Sequence, residues 1–120
     1  MPTAARFAEF VATVEAGRYV EAIERFYLPH ASMQENMGRS IIGRGALVDN
    51  EEAALRRSRI VCVPGSVALI GGDRTAVNWV FEITPHGGEP RTLNEIAWQR
   101  WEGEFIVEER FYYDPAQLAV

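Results

Sequence analysis

Apolar residues are spaced in two different ways along this chain. Between residues 4 and 16, Phe7, Phe10, Val11 and Val14 fall at spacings of three, one and three. That spacing predicts one face of an α-helix, and Gly17 suits its C-cap. Residues 19–27 predict a second short helix, with Val20, Ile23, Phe26 and Tyr27 on one side and Pro29 as its stop. Residues 31–36 read as a short strand. "GRGALVDNEEAAL" then predicts a glycine turn and a third helix over 46–57. The rest is strand-like. "RIVCVPGSVALIGG" predicts one strand bulged at Pro64–Gly65. Strands over 75–84, 92–101 and 105–114 follow, separated by turns at "GGDR", "PHGGEP" and "EGE".

Helices first and an antiparallel meander afterwards is the α+β layout. Such a sheet buries one face against the helices and leaves room for a small-molecule pocket between the layers. Strand parity sorts the side chains. Ala31, Met33 and Glu35 share one face of the first strand, and Ser32, Gln34 and Asn36 share the other. Thr75, Val77, Trp79, Phe81 and Ile83 form an apolar face. The last two strands have no cleanly polar side, so one face is expected under helices and pocket and the other against a dimer partner.

At 120 residues the chain predicts a single domain over 1–120, and 48% hydrophobic residues supply one core. No run of 18 apolar residues exists, so no membrane span is expected. The N-terminal stretch carries Glu9 and Glu15, as an amphipathic helix does and a signal peptide does not. One cysteine, Cys62, allows no internal disulfide and points to a reducing cytoplasm. A net charge of −5 argues against nucleic acid. All twelve basic residues are arginine, which excludes Schiff-base chemistry through a lysine.

The segment "HASMQENMG" holds the first candidate chemistry, with Glu35 and Asn36 set among methionines. A carboxylate against apolar walls gains proton affinity, because desolvation disfavours its charged form. A solvated strand-end glutamate is the competing reading. Glu95 with Arg110, and Glu109 with Arg100, suit cross-strand ion pairs, which would bind an anionic substrate inside a pocket and are ordinary surface charge outside it, the favoured reading. Tyr27, Tyr112 and Tyr113 suit pocket donors or interface residues, and Trp79 and Phe81 suit core, dimer contacts or pocket walls. His30 and His86 show no metal-ligand spacing, and "GRG" lacks a phosphate-loop pattern. No metal and no cofactor are expected.

Three stretches carry a family resemblance: "FVATVEAGRYVEAIERFYLPHASMQENMG", "IIGRGALVDNEEAAL" and "WQRWEGEFIVEERFYYDP". With the element order, they resemble the nuclear transport factor 2-like superfamily, in its SnoaL-like, polyketide-cyclase-like branch. The resemblance covers nearly the whole chain. It implies a cone-shaped α+β barrel, with helices on a strongly curved mixed or antiparallel sheet, and a homodimer. It also implies a hydrophobic pocket for a small apolar or cyclic molecule. In the comparison with steroid isomerases of this superfamily, Glu35 takes the general-base place, while Phe10 and Ala97 stand where oxyanion donors are expected. In the comparison with limonene-type epoxide hydrolases, Asn36 falls on a water-positioning asparagine, but Gln34 and Phe111 replace two other polar groups. Asp114 stands where SnoaL-type cyclases use an acid; before Pro115 it also suits the start of a turn. The resemblance therefore implies Glu35 as catalytic acid or base. Asn36, Tyr27, Met33, Trp79, Phe81, Tyr112 and Asp114 are implied as substrate-binding. The implied chemistry is isomerisation, cyclisation or dehydration. The alternative is a non-enzymatic ligand-binding or dimerisation module.

Overall fold

The computed structural model describes residues 1–119. Helix α1 (Ala4–Glu15) is capped by the Thr3 side chain, which accepts from the Arg6 amide. Helix α2 (Tyr19–Phe26) passes into strand β1 (Tyr27–Glu35) with no loop between them. A two-residue strand β2 (Ile41–Ile42) leads to helix α3 (Arg44–Arg57). Strands β3 (Ser58–Cys62), β4 (Val67–Gly71), β5 (Arg74–Pro85), β6 (Arg91–Glu102) and β7 (Phe105–Tyr112) follow, and a 3₁₀ turn (Pro115–Leu118) closes the described chain.

The strands form one sheet in the order β2-β1-β7-β6-β5-β3, with β4 also paired to β5. All pairings are antiparallel except β1 with β7. The sheet is therefore mixed. It curves strongly into a half-barrel around its helices, which is the cone-shaped α+β architecture.

Several boundaries differ from those predicted. β1 begins at Tyr27, and Pro29 lies inside it, where the register with β7 shifts between Tyr27 and Ser32. A residue without an N–H is tolerated at such an irregularity. Pro64 and Gly65 split the expected bulged strand into β3 and β4. Gly65 adopts a φ of 87°, which turns the chain, and both halves still pair with β5. β1 ends at Glu35, and Asn36 just after it has a φ of 52°, in the left-handed region. The Gly38 amide closes that turn onto the Glu35 carbonyl at 2.9 Å. A Cβ on residue 38 would lie 2.9 Å from the same oxygen, so glycine is required there.

Phe10 is the centre of the core and is fully buried. It meets Phe26, Tyr27, Trp79 and Trp101 edge to face, with ring centroids 5.5 to 6.3 Å apart. These contacts join helices α1 and α2 to strands β1, β5 and β6. Such pairs add stabilisation beyond their buried area. Phe10→Ala is expected to cost about 3–5 kcal/mol of unfolding free energy. Urea denaturation of the two proteins measures this, and a loss under about 1 kcal/mol would show that Phe10 is not the keystone of the core.

Candidate functional site

Between the helices and the concave face of the sheet lies a cavity of about 600 Å³. Odd-numbered residues of four strands supply much of its walls: Met33 and Glu35 from β1, Trp79 and Phe81 from β5, Leu93 and Glu95 from β6, Glu109 and Phe111 from β7. Tyr113 follows just after β7. Phe10 and Glu51 face it from α1 and α3. Tyr27 opens β1 at its inner end. The arginines Arg39, Arg57 and Arg91 also line it.

The cavity therefore combines apolar walls with four carboxyls, from Glu35, Glu51, Glu95 and Glu109, and three guanidinium groups. Glu95 is only 6% exposed, and its carboxyl has no hydrogen-bond partner among the described residues. Burial, followed by the charges of Glu109, Glu35 and Glu51, pushes it up to about 8. Glu109 is 2% exposed. Burial pushes it up to about 7, against hydrogen bonds from Gln99 and Tyr27 that favour its charge. Glu51 is half-buried and is also raised, by burial and then by the Glu35 charge. Tyr113 is raised by burial, then by the charges of Glu35 and Glu95. Glu35 itself is exposed at the end of β1.

Glu109 ends a chain of buried hydrogen bonds. The Trp101 indole N–H donates to Thr75 Oγ1 at 2.8 Å, and Thr75 donates to Gln99 Oε1 at 2.7 Å. Gln99 Nε2 donates to Glu109 Oε2 at 2.7 Å. On the other side, the Tyr27 hydroxyl donates to Glu109 Oε1. Burial, then the Glu109 charge, raises the Tyr27 hydroxyl well above its ordinary value of 10.0.

Of the residues singled out in the sequence, Tyr27, Met33, Glu35, Trp79 and Phe81 line the cavity. Asn36, Tyr112 and Asp114 do not. Asn36 Oδ1 accepts the Tyr113 amide at 2.9 Å, so its side chain serves the backbone at the strand end. Tyr112 lies on the outer face, stacked near the Arg110 guanidinium. Asp114 accepts the Ala116 amide and caps the 3₁₀ turn, as a residue before Pro115 can. The expected ion pairs of Glu95 with Arg110 and Glu109 with Arg100 do not form. Register places Arg110 beside Trp98 and Arg100 beside Glu108, which puts the arginines on the outer face and the two glutamates inside. Arg110 instead donates to Gln34, and Arg100 lies 3.9 Å from Glu108.

Glu51, Glu95, Glu109 and Gln99 were not singled out as site residues. The available signal for the strand residues was parity with Leu93, Ala97 and Trp101, all buried on the inner face of β6. Ile96 and Trp98 on the opposite face masked it. Among the described residues, no three His, Cys, Asp or Glu side chains are arranged to hold a metal ion. Cys62 lies outside this cavity, and burial pushes its thiol up to about 11, so it is a poor nucleophile. No described helix is long and apolar enough to cross a membrane.

Neither a family model nor a curated protein matches the sequence. Solved structures do match. A candidate SnoaL-like polyketide cyclase from Mesorhizobium loti is 24% identical with a TM-score of 0.81, over 94% of this chain and 100% of that one. A candidate polyketide cyclase from Pseudomonas putida is 16% identical with a TM-score of 0.82, over 98% and 96%. TerC, co-crystallised with polyporic acid, is 15% identical with a TM-score of 0.79, over 95% and 92%. At these identities the similarity is one of fold. This chain has the cone-shaped fold of the SnoaL-like and nuclear transport factor 2-like proteins.

Proposed function

We propose that this protein performs cofactor-independent proton transfer on a small apolar or cyclic carbonyl compound, in an isomerisation, cyclisation or dehydration. The observation that carries the reading is the pairing of two unlike carboxyls on one cavity. Glu35 is exposed, whereas Glu95 is buried and unpartnered. Unlike surroundings divide acid from base between two carboxyls. Glu35 acts as the base and removes a proton next to the carbonyl. Glu95 remains protonated up to about pH 8 and donates to the oxygen where charge develops. Tyr27, Met33, Trp79 and Phe81 hold the substrate body. The same proton, returned to a second carbon, completes an isomerisation. The co-crystal of TerC with polyporic acid supports a small-molecule ligand for this fold.

A homodimer across the outer sheet face belongs to the same reading. Val67, Leu69, Ile96, Trp98 and Tyr112 are each 40–68% exposed there. Register sets them in two adjoining rows, Leu69–Ala76–Trp98 and Val67–Asn78–Ile96–Tyr112. Contiguous apolar surface of this kind marks an interaction site.

Three expectations follow from these assignments. With cyclohexanone in deuterium oxide, the protein should accelerate exchange at the carbon beside the carbonyl. Glu35→Gln should slow that exchange by roughly a hundredfold or more. Full exchange by the variant would remove Glu35 from the base role. Binding without exchange by the wild type would favour the ligand-binding module instead.

Glu95 should also make stability depend on pH. Its folded value of about 8 lies above its ordinary value of 4.5, so the folded state holds the proton more tightly. Its contribution is complete below pH 4.5 and is lost as pH rises through 8. Glu95→Gln should therefore match the wild type near pH 4 and exceed it by roughly 2–4 kcal/mol near pH 9. Urea titrations at both pH values test the sign.

Trp98→Glu should convert a dimer to a monomer in sedimentation equilibrium while leaving the far-ultraviolet circular dichroism unchanged. A wild type that is already monomeric at high concentration would remove the interface.

A further inference from the structure

Tyr27 lines the cavity, but its hydroxyl proton is committed to Glu109. A hydroxyl has one proton to give, so in this state Tyr27 offers the cavity an acceptor and no donor. What would release it is set by the chain behind Glu109. An indole N–H can only donate. Trp101 therefore fills an acceptor site on Thr75, Thr75 gives its proton to Gln99 Oε1, and the Gln99 amide turns its NH₂ to Glu109 Oε2. The Gln99 NH₂ can only donate, so a proton on Glu109 Oε2 would find no acceptor there, whereas a proton on Oε1 meets a hydroxyl that can also accept. The Tyr27–Glu109 hydrogen bond then reverses. Glu109 donates to the Tyr27 oxygen, and the tyrosine proton is free to turn into the cavity.

We propose that Tyr27 and Glu109 form a proton-sharing dyad that presents a hydroxyl donor to the cavity only when Glu109 is protonated, with Gln99 as the positioning residue that directs the proton to Oε1. The dyad rests on the proton-transfer reading above and adds the control of a second donor beside Glu95. In the step it serves, Glu35 takes the proton from the carbon next to the carbonyl. The C–H pair becomes the carbon–carbon double bond, and the carbonyl π pair moves to oxygen. Tyr27 hydrogen-bonds that oxygen without giving up its proton. The charged and titratable groups around the dyad and its cavity are Glu51, Arg44 and Arg57 from α3, Glu35 from β1, Arg39 after it, Arg91 and Glu95 from β6, Tyr113 after β7 and Tyr19 from α2. Arg44 is bound to the Tyr27 carbonyl, and Tyr19 donates to the Ile60 carbonyl, so neither competes for the shared proton. From α1 the facing residue is Phe10, which carries no charge. The donor is on below pH of about 7 and off above it.

Infrared spectra of bound cyclohexanone test this, at about two pH units either side of the Glu109 midpoint of about 7. In the wild type the carbonyl band should move to lower wavenumber on the acid side. Tyr27→Phe should remove that part of the shift and leave only the contribution of Glu95, which titrates higher. Glu109→Gln should keep the Tyr27 contribution at both pH values. Its side-chain oxygen accepts from Gln99 and its NH₂ donates to Tyr27, which mimics the protonated acid. A purely structural Glu109 predicts no such locked-on spectrum, and a Glu109→Gln band that behaves as in the wild type would overturn the dyad.

A second measurement needs no ligand. Carbon-13 labels on the Tyr27 ring carbon bearing oxygen and on the Glu109 carboxyl should titrate together with one midpoint. A Glu109 carboxyl that stays ionised to about pH 5 would overturn the dyad, whatever the fate of the Glu35 assignment. Loss of exchange activity alone, with the joint titration intact, would count against the catalytic reading and not against the dyad.

Discussion

The buried Glu109 carboxyl is answered by donors from neighbouring strands, and that pairing constrains the whole sheet. Leaving such a group unpaired costs several kcal/mol. The answer comes from three strands. Tyr27 on β1 and Gln99 on β6 donate to it, and Thr75 on β5 and Trp101 on β6 hold Gln99 in place. The network crosses the sheet at right angles to the strands. It ties the parallel β1–β7 pair to the antiparallel meander at the inner end of the cavity. Slipping any of these strands by one residue would exchange inner and outer faces. It would strand a carboxyl, an amide and an indole together, so polar satisfaction fixes register here as firmly as apolar packing does.

The cavity is the counterpart of that network. Phe10 and its ring of aromatics fill the middle of the half-barrel, while the space beyond them stays open and receives Glu35, Glu51 and Glu95. Burial raises the proton affinity of these carboxyls because it disfavours their charged form, and neighbouring carboxylates oppose that charge further. The same surroundings that make these glutamates costly to fold around make them suited to exchanging protons near neutrality.

The sequence carried the element order well, because each helix face and each turn is local. Parity groups Glu35 with Ala31 and Met33 on one face of β1, but only the family resemblance pointed that residue at a pocket. The helix-to-strand junction at Tyr27 was not, since Pro29 suggested a stop nearby and the strand is imposed by its distant partner β7. Glu95 and Glu109 were harder still. Both faces of β6 carry large apolar residues, and the register shift between Arg100 and Trp101 decides which charges face inward on β7. Such a shift leaves little trace in the order of residues. Asn36 looked like chemistry because amides serve ligands and backbones equally well, and only the left-handed turn at the end of β1 shows which one it serves.

The absence of a loop between α2 and β1 has a consequence for how this architecture can vary. Phe26 ends a helix and Tyr27 begins a strand, so nothing is available there to absorb an added or deleted residue. One extra residue would rotate α2 by about 100° relative to its packing face, or move the Tyr27 hydroxyl to the wrong side of the sheet. The β5–β6 hairpin tip, by contrast, is exposed through His86–Pro90 and joins strands whose pairing is already long. Length changes in proteins built this way should therefore collect at that distal tip, while the helix–strand seam keeps a fixed residue count even where its side chains diverge.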